Sequence, residues 1–530
     1  MNESPSGITQ LNRTRVDLNG LMSVLSKHLY STPMVALREL VQNAHDSIVR
    51  RRIEEPGWSA PARIDLSSDA DANILRITDT GAGLTDDEIH RFLATVGVGY
   101  TRTLRESGHD ESDLIGMFGL GFLSAFVLAE RVSVRTTSYQ TPERGHLYTS
   151  TNAEQYSVSE IPPRPVGTEI ELELKAEFAA LTHPAHLDRI LAHYCVLLHE
   201  PIHICANPVP INPEPPPWRR ADAATLHPLQ AQRQNIAFAA RFEAHFEPIC
   251  TLPVAPAGDS DAVGLLWVQD GSTYGTSDNR NLSVFVRGML LDDNARELLP
   301  AWAGFVGGVI ESQRLTPTAS REDLQRDRHF EATRHALGEA LIDGLAAVAR
   351  QQPEAWRRVL LRHNEALLGA ALCDERLFEL LQDKVRIPTS HGELAASELV
   401  AGGAVNVILD TGSGFEEMLF RALGVPVAHG NRYAVVPFLR RWTQARGLRL
   451  VELGTEQGNR QLFRLDPLPA DEEQRLAAAL ADHERLVTAR FSPAELPLVV
   501  VPAVLVVPWL AVVLQVDFPP MGPTIAATRW

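Results

Sequence analysis

The sequence predicts a multidomain protein of the α+β or α/β class: an N-terminal α/β domain, an α/β middle region and a short C-terminal region of unusual composition. Three observations carry this. The chain has 530 residues, too many for one hydrophobic core. Within the first 175 residues the apolar pattern passes from helical spacing to strict alternation, the mark of helices packed on half-buried strands. A proline-dense stretch then separates this part from a second set of strand and helix patterns.

Taken in order, residues 16–50 read as helical, with a break at "YSTP" where Pro33 opens the next helix. In that helix Leu37, Leu40, Val41, Ala44 and Ile48 share one face, and Glu39, Asn43 and Asp46 fall on a narrow arc opposite. "ARIDLSSDADANILRITDTGAG" reads as two strands joined by a polar turn and ending in a glycine loop. A loop-rich stretch, about 84–121, follows. "ERVSVRTTS" and "GTEIELELK" alternate as half-buried strands do. "CANPVPINPEPPPW" reads as a connector. Beyond it, "VGLLWVQ" and "LSVFVRGMLL" are strand-like, and "ARELLPAWAGFVGGVI" is helix-like. Leu337, Leu341, Leu345 and Val348 mark a further helix. A second small α/β unit is expected over 385–470, with "AVNVILDTG" and "YAVVPFL" as its strands.

Composition narrows the function. With 45% hydrophobic and 22% charged residues the chain is ordinary for a soluble protein, and its net charge of −17 argues against a general nucleic-acid binder. Cys195, Cys205, Cys250 and Cys373 are scattered, with no C-x-x-C pair and no metal-ligand spacing, so reduced thiols in a cytoplasmic protein are expected. The first twenty residues carry no basic segment followed by an apolar one, the pattern of a secretory signal. The uncharged run 496–516 approaches the length of a membrane span. However, Pro497, Pro502 and Pro508 interrupt it, and buried strands suit it better.

Four short stretches carry chemistry, and each alone is weak. The arc of Glu39, Asn43 and Asp46 alone reads as a solvated helix face. "DTGAG" (79–83) places an aspartate at a strand end beside glycines that let a ligand approach the backbone. "GMFGLGF" (116–122) can cradle phosphates on backbone N–H groups where it opens a helix. Gly167 and Thr168 precede the strand "EIELEL". In this order and spacing, the four resemble the ATP-site boxes of the superfamily that includes gyrase, histidine kinases, mismatch-repair proteins and heat-shock chaperones.

Within that superfamily, "LNGLMSVLSKHLYSTPMVALRELVQNAHDS" is similar to the heat-shock protein 90 family. So is "VFVRGMLLDDNARELLPAWAGFVGGVIESQRLTPTASREDLQ" (284–325), which resembles that family's middle domain with its SRE-x-LQ loop. The resemblance is close over roughly 10–175 and 260–350. It implies a two-layer α/β sandwich that binds ATP and Mg²⁺. Glu39 would be the general base toward the attacking water, and Asn43 would hold Mg²⁺. Asp79 would accept a hydrogen bond from the adenine amino group, supported by Asp46 and Thr168. Gly83 and Leu84 would line the nucleotide, Gly119 and Gly121 would meet the phosphates, and Phe122 would pack beside them. Arg321 would reach the γ-phosphate as an arginine finger, with Gln325 in support.

The implied organisation is an ATP-binding domain over 10–200 with a lid at about 84–121, then a proline-rich connector over 201–220. The middle domain follows as an α/β part with the arginine loop over 221–350 and a helical and second α/β part over 351–480, before an atypical C-terminal region over 481–530. The implied function is an ATP-hydrolysing chaperone of protein folding and the stress response, clamping client proteins, with a nucleotide-dependent homodimer. A nucleotide-regulated scaffold with little turnover and a DNA-acting ATPase are the alternatives. Two features depart from the family: "ATVGVGYT" stands where a lysine is usual, and the expected C-terminal dimerising helices are not evident.

Overall fold

Alternation in the N-terminal strands builds a sheet with one apolar and one charged face. In the computed structural model β1 (Ile64–Asp69), β2 (Ile74–Asp79), β3 (Ala129–Thr137), β4 (Gly145–Ser150), β5 (Tyr156–Ile161), β6 (Gly167–Leu174) and β7 (Ile202–Ile204) form seven strands. Their order is β5-β4-β3-β6-β2-β1-β7. All neighbours are antiparallel except β1 and β7. The structure describes residues 33–95, 121–151, 153–221, 225–243, 245–272, 277–318, 323–409, 417, 420 and 424–453, and the strand segments 463–464, 486–491, 511–515 and 525–529.

On the inner face, Leu75, Ile77, Val132, Val134, Ile170 and Leu172 are buried in one core with the helices α1 (Met34–Glu54) and α2 (Pro184–Cys195). On the outer face Arg76 reaches Glu171 at 2.7 Å, and Arg135 reaches Glu169 at 3.1 Å and Glu171 at 3.4 Å. A sheet covered by helices on one face and charged on the other is the two-layer sandwich expected. Strand β7 lies within the stretch read as a connector. The Asn212 carboxamide ties that stretch back, accepting from Ile202 N–H and donating to the Leu198 and Glu200 carbonyls.

Of the lid stretch, residues 84–95 and Gly121 are described. Residues 84–95 form a helical turn, Asp86–Glu88, with a Thr85–Glu88 capping box, and a π-helical turn, Ile89–Leu93. Residues 16–32, part of the expected N-terminal helix, lie outside the described residues.

The molecule divides into two units. The first holds the residues up to Trp267 with Arg280–Pro300 and Gly307–Leu341; the second holds Val268–Asn279, Ala301–Val306 and the residues from Ile342 on. A second sheet, of order β11-β10-β12-β9-β8, contains β8 (Pro248–Val254), β9 (Val263–Gln269), β10 (Asn281–Val286), β11 (Met289–Asp292) and β12 (Val306–Ser312). Here the helix expected over 295–310 is corrected. Only a 3₁₀ turn, Arg296–Leu298, forms, and Val306–Ser312 is a strand parallel to β10. Every residue of β12 is buried, so it shows no alternation, and a Cβ on Gly307 would lie 2.4 Å from the Trp267 indole.

Helix α3 (Arg328–Gln351) buries Leu337, Leu341, Leu345 and Val348 as their spacing predicts. In the second unit, a six-stranded sheet includes Ala404–Ile408, the expected "AVNVI" strand. The expected "YAVVPFL" strand is instead the start of a helix, Val435–Ala445. Val435, Phe438, Leu439 and Trp442 recur at helical spacing on its buried face, which overrides the β-branched start. Toward the C-terminus, Ala511–Gln515 pairs with Ile525–Arg529 in a four-stranded sheet. Among the described residues no helix is long and apolar enough to cross a membrane.

Candidate active site

The buried phase of β2 runs Leu75, Ile77, Asp79, so alternation alone turns a carboxylate into the layer between sheet and helices. Register continues this across the sheet: Asp79 stands opposite Thr168 of β6, and Thr168 opposite Thr136 of β3. The neighbouring row is Ile77, Ile170 and Val134. One polar row thus closes the apolar floor. The Thr136 and Thr168 hydroxyls lie 3.1 Å apart, and Leu84 N–H donates to Thr136 Oγ1 at 2.9 Å.

Asp79 is 6% exposed, and its carboxylate accepts from Ser47 Oγ at 3.0 Å and from Gly81 N–H at 2.8 Å. Burial pushes its pKa up to about 7, against the opposing hydrogen bonds from Gly81, Ser47 and the Thr168 backbone and the charge of Arg51. A carboxylate offers about four acceptor positions, and three donors are in place. The arrangement therefore fits one further donor, such as an exocyclic amino group.

The "DTGAG" glycines are needed sterically. A Cβ on Gly81 would lie 2.2 Å from Ser47 Oγ, and Gly83, at φ +64°, passes against the Thr137 carbonyl. Ala82 N–H donates to the Ser47 carbonyl at 3.0 Å, clamping the loop to α1.

The arc of α1 meets the second glycine stretch two turns earlier. Glu39 is 1% exposed, so it does not face water. A Cβ on Gly121 would lie 3.3 Å from Asn43 Oδ1 and 3.4 Å from Glu39 Oε2. The carboxylate, the carboxamide and the glycine backbone therefore share one small volume. Arg38 Nη2 donates to Glu39 Oε1 at 3.0 Å within this buried region. Gly121–Ser124 forms a 3₁₀ turn that leads into the short helix Ala125–Leu128. Phe122 is buried, edge-on to Phe126 at 6.2 Å and Tyr148 at 5.7 Å.

The predicted residues thus fall into two neighbouring groups on one helix: Glu39 and Asn43 with Gly121, and Asp79 and Thr168 with Gly83 and Leu84. Asp46 is on the same helix, its Oδ1 3.5 Å from His45 Nδ1. Gly119 and Arg321 lie outside the described residues. Gln325 donates its side-chain N–H to the Pro317 carbonyl at 2.9 Å, fastening the two sides of the arginine loop to each other. Sequence reasoning missed Ser47 and Thr136. Ser47 is four residues after Asn43, and its place on the same arc was the signal.

Mg²⁺ bound with a nucleotide takes few protein ligands and keeps phosphate and water oxygens. The Asn43 carboxamide oxygen beside Gly121 fits that donor set. Among the described residues, no three or more His, Cys, Asp or Glu are grouped to hold a metal by themselves.

Comparison with known proteins agrees with this geometry. Residues 30–176 match the model of the histidine kinase-, DNA gyrase B- and HSP90-like ATPase, and residues 268–386 match that of the Hsp90 protein. In these two segments the chain is similar to the Hsp90 family and its ATPase relatives. Curated relatives are the chaperone protein HtpG of Chlorobaculum tepidum, 24% identical over 79% of this chain and 70% of its own length, and that of Nitratidesulfovibrio vulgaris, 28% identical over 66% and 57%. The HtpG of Escherichia coli is 26% identical over 72% of this chain and 64% of its own length. Two of these three relatives are matched across less than two thirds of their own length.

Proposed function

We propose that the chain binds ATP with Mg²⁺ over the polar end of its N-terminal sheet and hydrolyses it to drive chaperone action on client proteins in the cytoplasm. The observation that carries this reading is the meeting of Glu39 and Asn43 under Gly121, beside the buried Asp79. Bound Mg²⁺ neutralises phosphate oxygens, and Asn43 would hold it. Asp79 accepts from the base, with Ser47, Gly81 and Thr168 fixing its carboxylate. Thr136 and Thr168 extend the polar row, and Asp46 supports the same face. Gly83 and Leu84 line the base, while the backbone at Gly119 and Gly121 meets the phosphates. Glu39 takes the proton from the attacking water, with Arg38 orienting its carboxylate. Arg321 meets the transferred phosphoryl charge, and Gln325 fastens the loop that carries it.

The same reading assigns Met34–Cys195 and the sheet around it to nucleotide binding and the second sheet to the arginine loop. It also includes a homodimer that forms with nucleotide. The net charge of −17 disfavours a DNA-acting ATPase. The test is steady-state ATP hydrolysis by the full chain and by Arg321→Ala. Turnover should fall roughly 10³-fold in the variant with ATP affinity little changed. Equal turnover in both would remove Arg321 from the mechanism.

A further inference from the structure

We propose that Arg51 is a positioning residue for base recognition, gripping the loop that follows Asp79 and laying its guanidinium charge behind that carboxylate. The proposal rests on the reading of Asp79 as the acceptor of the base amino group. Glu39, Asn43, Ser47 and Arg51 stand four residues apart on α1, so they form one row along the helix. The first two meet Gly121, and the third donates to Asp79 at 3.0 Å. The row runs on past the groups already assigned, and Arg51 is its next member.

Arg51 Nη1 donates to the Thr80 carbonyl at 3.0 Å and, more weakly, to that of Gly81 at 3.4 Å. Gly81 is also the residue whose N–H donates to Asp79 at 2.8 Å. One guanidinium thus holds the loop by its carbonyls while the loop holds the carboxylate by its N–H. The rest of the arginine is fixed from two sides. Its Nε donates to Glu55 at 2.8 Å, and its Cζ lies 4.5 Å over the centre of the Trp58 ring. Only 12% of the side chain is exposed. An arginine in the last turn of a helix can serve the helix dipole alone, but that role needs no contact with a neighbouring loop.

Charge is the second part of the role. On the sheet, Asp79 is flanked by Ile64 of β1 and Thr168 of β6, both uncharged. Along this part of α1, Asp46 meets His45, and Arg51 meets Glu55. Arg50 and Glu54 pair with each other and reach Glu88 and Tyr139. Arg51 is the cation whose charge favours the ionised Asp79, against the burial that drives its pKa up. With that charge removed, ionisation becomes costlier. ATP, which needs the ionised form, then loses affinity near neutral pH and recovers it in alkali.

Calorimetric titration of ATP into the full chain at pH 7 and pH 9 tests this in wild type, Arg51→Met and Arg51→Lys. The gain in affinity from pH 7 to pH 9 should be about two- to fivefold larger in Arg51→Met than in wild type. Arg51→Lys keeps the charge and should keep the wild-type gain. A purely structural arginine would weaken binding equally at both pH values and leave the gain unchanged in Arg51→Met, which overturns the proposal. If Arg51→Met melts early, Arg51→Gln, which keeps a donor for the loop and gives up the charge, should show the same larger gain. Asp79→Asn in the same series separates the two readings. Wild-type ATP affinity in that variant would remove the nucleotide reading and this proposal with it. Loss of ATP there, with an unchanged gain in the uncharged Arg51 variants, removes this proposal alone.

Discussion

Two carboxylates on neighbouring strands of one sheet, Glu171 on β6 and Asp79 on β2, are displaced in opposite directions. Glu171, on the outer face, pays some desolvation by burial, but hydrogen bonds from Arg76 and Arg135 and their charges hold it below the usual range. Asp79, on the inner face, is driven up to about 7 by burial, and its hydrogen-bond donors are neutral. The sequence offers both as acidic residues in alternating strands. What separates them is which phase of the alternation they occupy. The outer phase pairs its charges across strands at the edge of solvent, where they contribute little. The inner phase places a carboxylate where ionisation is costly unless a ligand supplies a donor, which is the mark of a site.

The largest expected effect is on the inner side. Glu39→Ala should lower ATP turnover at least about 100-fold while leaving ATP affinity within a few-fold, as removal of a general base does. Rapid-quench hydrolysis alongside equilibrium binding checks it; turnover near wild type would break the assignment.

Next comes pH. A ligand amino group needs the ionised Asp79, whose pKa in the free protein is about 7. ATP affinity should therefore fall roughly tenfold per pH unit below 7 and level off above it. Stability of the nucleotide-free domain carries the opposite sign. A carboxyl raised above its unfolded value of 3.8 contributes stability at low pH, and this is lost as pH rises toward 7. Binding and melting curves between pH 5 and 8 should thus trend in opposite directions, and both Asp79-linked trends should vanish in Asp79→Asn.

Gly121→Ala sharpens the comparison more finely. Its Cβ would sit 3.3–3.4 Å from Asn43 and Glu39, tight enough to displace them by tenths of an ångström. Turnover should drop about tenfold or less, with a melting shift of a degree or two. The smallest effect belongs to the outer face. With Arg76 32% exposed, Arg76→Ala should cost under about 1 kcal/mol in denaturant unfolding and leave ATP affinity unchanged.

Much of this was legible in the sequence because the N-terminal domain uses simple periods. β2, β3 and β6 alternate, and α1 buries Leu37, Leu40, Val41, Ala44 and Ile48 as spacing requires. Where both faces of an element are buried, the period disappears, and β12 was read as helix-like for that reason. In Val435–Ala445 the reverse occurred: a β-branched start suggested a strand, and packing of Phe438, Leu439 and Trp442 decided for helix. Within the site, the residues proposed to meet the nucleotide stood in short motifs, whereas the groups beside them did not. Thr136 is the penultimate residue of an unremarkable strand, and only the register across β3 and β6 brings its hydroxyl to Thr168. Arg38 stands in no motif, and only its burial places it on Glu39.

The central claim is that the inner polar row reads a nucleotide base through Asp79. Calorimetric titration of ATP into the wild-type chain, Asp79→Asn and Arg76→Ala tests it directly. Loss of a buried charged hydrogen bond costs about 2–5 kcal/mol, so Asp79→Asn should weaken ATP by roughly 30-fold to more than 1,000-fold. Wild type and Arg76→Ala should bind alike. Wild-type affinity in a folded Asp79→Asn variant would contradict the account.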